Sequence, residues 1–101
     1  MKVIYTDQSY ESLHESSLFL LEEQGWSLEK VLELRNVLLD KADKLVTTYD
    51  HYQQEGCLIH LGKGHKRTIE GYFKIIYKIE GEFIYVTDFF DTRQDPSKMK
   101  G

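Results

Sequence analysis

The spacing of apolar positions changes once along the chain, near Tyr52, and the change separates a helical half from a strand half. Before it, Lys2-Val3-Ile4-Tyr5-Thr6 is a short β-branched run that predicts a strand, running into a helix for which Asp7 and Ser9 are good N-caps. That helix is expected over 8–24. Its buried stripe is Tyr10, Leu13, Ser17, Leu20 and Leu21, and Gly25 supplies the stop. Ser27 can cap the next segment, where Leu28, Val31, Leu32, Leu38, Leu39, Ala42, Leu45, Val46 and Tyr49 keep helical spacing for about six turns. A linker this short folds the two helices into an antiparallel hairpin.

Beyond Tyr52, Cys57 to Leu61 reads as a short apolar strand, and Gly62-Lys63-Gly64 as a flexible tight loop. Two further strands are expected over 72–79 and 83–90, both rich in aromatic and β-branched residues. They are punctuated by Glu70-Gly71 and by Glu80-Gly81-Glu82. Alternation puts Phe73, Ile75, Tyr77 and Ile79 on one face of the middle strand, and Tyr72, Lys74, Ile76 and Lys78 on the other. The tail, 91–101, holds the only proline, Pro96, and is expected to end the structured part. Together these elements predict a single α+β domain over 1–101: a strand, a helical hairpin, then a three- to four-stranded antiparallel meander. The hairpin covers one sheet face and the other is free to meet a partner.

Composition narrows the function. The longest apolar runs, Leu18 to Leu21 and Phe83 to Val86, are far too short for a membrane span or a signal-peptide core, so a cytoplasmic protein is expected. The single cysteine, Cys57, excludes an intramolecular disulfide and every multi-cysteine zinc pattern, and its apolar strand neighbourhood favours an inert, buried thiol. The net charge of −4 argues against gripping nucleic acid with the whole surface. The charge is unevenly divided: −6 up to Gly56, +2 from Cys57 onward, and +4 within 57–78. An anionic ligand would be met in that basic stretch.

The residues there also carry a resemblance. Arg67-x-Ile69, then Phe73-Lys74-Ile75-Ile76-Tyr77-Lys78-Ile79, then Asp91-Thr92-Arg93-Gln94-Asp95-Pro96 followed by Lys98 resemble, in order and spacing, the RelE/ParE superfamily of bacterial type II toxin–antitoxin toxins. The ParE-like branch, which includes plasmid stabilisation proteins, is the nearer. The resemblance implies a small α+β toxin neutralised by a cognate antitoxin protein. RelE-like members enter the ribosome and cut mRNA with basic residues and a terminal tyrosine or histidine; ParE-like members lack that set and inhibit DNA gyrase. Here Lys74 stands where the nucleases usually carry a strand arginine, Asp91 where many members have histidine, and no tyrosine or histidine follows Arg93.

A non-enzymatic toxin that binds gyrase is therefore the leading expectation. A ribosome-dependent mRNA endonuclease and a non-toxic antitoxin-binding relic are the alternatives. Lys63, His65, Lys66, Arg67, Lys74, Lys78 and Arg93 are the candidates for contacting target or antitoxin, and each of the lysines has an ordinary reading as a solvated edge or strand face. Nuclease chemistry would draw on Lys74, Tyr77 and Arg93, with His60 or His65 as further proton carriers. Tyr77, sharing its face with three apolar residues, fits packing better. Cys57, His60 and His65 lack a matching carboxylate, so no metal and no cofactor are expected. The Gly62-Lys63-Gly64-His65-Lys66 loop lacks both phosphate-loop spacing and a following helix.

Overall fold

A computed structural model describes residues 1–101. Strand β1 (Lys2–Tyr5) leads into helix α1 (Asp7–Glu22), a short turn, and helix α2 (Leu28–Asp43). Thr6, rather than Asp7 or Ser9, caps α1, accepting a hydrogen bond from the Ser9 amide, and Ser27 caps α2 as expected. The second helical run is not continuous. It breaks at Lys44, whose carbonyl accepts from the Thr47 and Thr48 hydroxyls, and resumes as a one-turn helix, α3 (Leu45–Thr48).

Three antiparallel strands follow: β2 (Lys66–Glu70), β3 (Phe73–Glu80) and β4 (Phe83–Asp91). The turns between them place Gly71 and Gly81 at φ of 58° and 59°, a left-handed backbone that side-chain-bearing residues rarely adopt. The sheet order is β1-β4-β3-β2, with β1 parallel to β4, so the sheet is mixed. Chain order alone could not show that the first strand closes on the last.

The core lies between the helices and one sheet face, where Leu13, Leu38, Ala42 and Leu45 pack on Phe73, Ile75, Tyr77, Ile84, Val86 and Phe89. Phe73, Ile75, Tyr77 and Ile79 share that face as their alternation requires. The Tyr77 hydroxyl donates to the Tyr49 carbonyl at 2.6 Å, and burial pushes its proton dissociation far upward, so Tyr77 is a packing residue.

Several expectations are corrected. Cys57 to Leu61 is not a strand but part of a 3-10 helix over Gly56–Leu61, and the Cys57 thiol is exposed. The strand that pairs with β3 is instead Lys66–Glu70, beyond the Gly62-Lys63-Gly64 loop, in a stretch to which the sequence pattern assigns no strand. Tyr10 leaves the buried stripe and is exposed, as are Leu28 and Leu32. The tail does not end the structure: after Pro96–Lys98 it turns back over the sheet and buries Met99 with Leu58, Ile76 and Phe90. The second sheet face is therefore partly roofed by the 3-10 helix and the tail. Asp88 and Thr87 on β4 hold the tail, the former accepting from the Lys100 amide at 2.9 Å, the latter donating to the Lys100 carbonyl at 3.2 Å.

The candidate interaction face

Of the cations picked out by the sequence, Arg67, opposite Ile76, and Lys74 and Lys78, which share the Ile76 side of β3, lie on this second face, and each already has an anionic partner. Glu55, at the end of the segment preceding the 3-10 helix, is 1% exposed. Its carboxylate accepts from the Lys74 ammonium at 2.7 Å and from the Cys57 amide at 3.0 Å, and lies 3.6 Å from the Arg67 guanidinium. Burial alone would raise the Glu55 pKa, but Lys74 and the Cys57 amide outweigh it and hold the carboxyl below its ordinary range. Arg67 also donates to the Gln54 carbonyl at 2.7 Å and to the Gln53 side chain at 3.2 Å.

Backbone pairing places Glu55 there. Gln54 bridges to Lys66, the Glu55 amide donates to the His65 carbonyl at 2.7 Å, and the Arg67 amide donates to the Gln53 carbonyl at 3.0 Å. The 53–55 segment thus lines the outer edge of β2 and delivers a carboxylate across it onto the lysine of β3.

Arg93 is paired in the same manner. Its guanidinium grips Asp91 in a two-point contact, Nε to Oδ1 at 2.9 Å and the terminal nitrogen to Oδ2 at 2.7 Å, and lies 4.7 Å from the centre of the Tyr72 ring. Burial pushes Asp91 upward, yet Arg93 draws its pKa below the usual carboxylate value. Lys78 meets Glu80 at 3.2 Å. Of the cationic candidates, only Lys63 and Lys66 take part in no ion pair.

His65 does not join a surface patch. It is 1% exposed, neither ring nitrogen has a hydrogen-bond partner, and burial and then the charges of Lys78 and Lys63 lower its pKa, against a smaller opposing effect of Glu80. Cys57 and His60 are exposed, and no three His, Cys, Asp or Glu side chains gather as a metal site.

Beside Arg93, between α1 and the tail, lies a cavity of about 750 Å³ bordered by Ser12, Phe19, Asp88, Phe90, Arg93 and Lys98, among others. Asp88 is 2% exposed, and burial raises its pKa despite the Lys100 amide. Sequence reasoning found neither Glu55 nor Asp88, because nothing in their spacing marks an acidic residue as internal. No helix is long and apolar enough to cross a membrane. No protein-family model matches the chain, and no curated protein matches it.

Proposed function

We propose that this protein is the toxin of a type II toxin–antitoxin module, resembling the ParE-like branch, neutralised by a cognate antitoxin and acting by binding DNA gyrase rather than by cleaving RNA. The observation that carries this reading is the pairing of its cations. Phosphodiester cleavage needs positive groups aimed at the developing charge and a proton carrier within hydrogen-bond reach. Here Lys74 and Arg67 face Glu55, Arg93 is clasped by Asp91, and Tyr77 is locked in the core. What the face offers is fixed shape with balanced charge, which suits a protein partner. The order of elements, a strand, a helical hairpin and a meander, is also the one the resemblance implies.

Lys63 and Lys66, which take part in no ion pair, and the exposed His60 favour a second reading as a RelE-like, ribosome-dependent mRNA endonuclease. Pulse labelling of DNA and protein synthesis in bacteria, just after the gene is induced without its antitoxin, separates the two. DNA synthesis stalling first, in filamentous cells, is the expected result. Collapse of protein synthesis while DNA synthesis continues overturns it in favour of the nuclease. No effect on either leaves an antitoxin-binding relic.

A further inference from the structure

The two outer edges of the sheet are treated differently. Along β2 the edge is closed: Gln53 to Glu55 pair with it, and the Lys41 ammonium donates to the Ile69 carbonyl at 2.5 Å. Along β1 nothing is paired. The Lys2 amide donates to the Glu82 carbonyl, just before β4, and the Thr6 amide to the Val86 carbonyl within it, so in a parallel ladder Lys2, Ile4 and Thr6 turn their backbone groups inward. Val3 and Tyr5 therefore turn theirs outward, and no strand lies beyond them.

We propose that β1 is a self-association edge, at which a second copy of this chain adds antiparallel to make one continuous eight-stranded sheet. The outward groups sit two residues apart, at Val3 and Tyr5. A two-fold axis through Ile4 sets Val3 against the second copy's Tyr5, and Tyr5 against its Val3. Both pairs exchange two hydrogen bonds, and all the outward groups of the edge are satisfied. Ile4 then meets its own copy across the axis as a close, non-hydrogen-bonded pair.

The charges agree with this register. Between Val3 and Thr6 there is none, and Lys2 falls opposite the second copy's Thr6, beside its exposed Asp7. Opposite signs are thus brought together twice, and no like charges face each other. The edge also has apolar flanks. Phe83, across from Lys2, is exposed next to Tyr85, their rings 6.1 Å apart. On the helical side Tyr10 is exposed with its ring 5.5 Å from that of Tyr5. The edge carries no proline, and its one charge, Lys2, stands at the start of the strand rather than at Val3 or Tyr5, so the outward groups of those two residues stay open.

The decisive variant is Val3→Pro. It deletes the outward amide while leaving the inward Lys2, Ile4 and Thr6 bonds to β4 untouched; Val3→Ala, which loses the same side-chain packing but keeps the amide, is its control. Analytical ultracentrifugation of the full chain should show a concentration-dependent dimer. Its dissociation constant should rise about tenfold or more in Val3→Pro, and much less in Val3→Ala. Hydrogen exchange at the Val3 and Tyr5 amides should slow as concentration rises. A wild-type chain that stays monomeric with both amides unprotected at every concentration overturns the proposal. So does a dimer that Val3→Pro leaves equally tight.

Discussion

Glu55 and His65 sit on opposite ends of one short backbone contact, the Glu55 amide to the His65 carbonyl, and both are buried ionisable groups with contrary settlements. Glu55 is ionised and satisfied by Lys74 and the Cys57 amide. Glu55→Gln keeps the side chain's shape but leaves Lys74 without its counter-charge. A loss of about 1–3 kcal/mol is expected in urea unfolding at neutral pH, since a buried acceptor to a charged donor is being weakened. His65 is neutral and unsatisfied. Its folded pKa lies below the ordinary 6.5, so the unfolded chain binds the proton more readily. Stability attributable to His65 is therefore complete above about pH 6.5 and falls as the pH drops toward the folded value, at no more than about 1.4 kcal/mol per pH unit. The other histidines, His14, His51 and His60, are exposed. A His65→Gln variant should accordingly flatten the stability profile between neutral and mildly acidic pH. A profile unchanged by the substitution would place the acid sensitivity elsewhere.

Among elements, the tail shows most clearly how packing overrides local pattern. Asp91 to Gly101 has a proline, few apolar residues and no periodicity, all signs of an unstructured end, yet one methionine anchors it on the sheet. Met99→Ala should cost about 2 kcal/mol, at the low end for a buried methionine because the tail can shift to fill the space. It should also raise hydrogen exchange at the Lys100 amide, which Asp88 holds. Exchange left unchanged would mean that the hydrogen bonds hold the tail without Met99. The helices, the β3–β4 hairpin and its inward face were legible from the sequence, because burial on one side writes a regular period into the chain. Cys57 to Leu61 was not. Only Leu58 in that stretch is buried, and an apolar run that buries one side chain in five carries no strand period, whatever its composition suggests. Lys66–Glu70 failed for the opposite reason: its charged residues hide a strand whose lysine and arginine are held by a neighbouring segment.

At the scale of the molecule, the candidate site was legible as a set of cations but not as a balanced set. Arg67 and Lys74 are neutralised by Glu55, which reaches them only through tertiary pairing, whereas Arg93 is clasped by Asp91 two residues before it. On the proposed toxin reading, alanine at Lys74 or Arg93 should weaken association with the protein target or the antitoxin by changing the shape and charge of the face, with no RNA product altered; pull-down of the purified variants measures it. Retained binding in both variants would move the contact surface elsewhere. What stayed hidden at Arg67 and Lys74, as at the first strand and the tail, is contact between residues far apart in the chain.

The parallel pairing of β1 with β4 has a consequence for how the protein is made. Lys2 meets Phe83, and Gln8 reaches the Gly101 carbonyl at 3.1 Å. During synthesis the first strand emerges early, and the hairpin helices can form soon after it. Their apolar faces nevertheless have no sheet to rest on until β3 and β4 have followed, and β1 has no neighbour until β4 is out. This domain thus stays unfinished until β4 has been made, so a premature stop anywhere before β4 yields a fragment in which β1 has no neighbour and the four-stranded sheet cannot close.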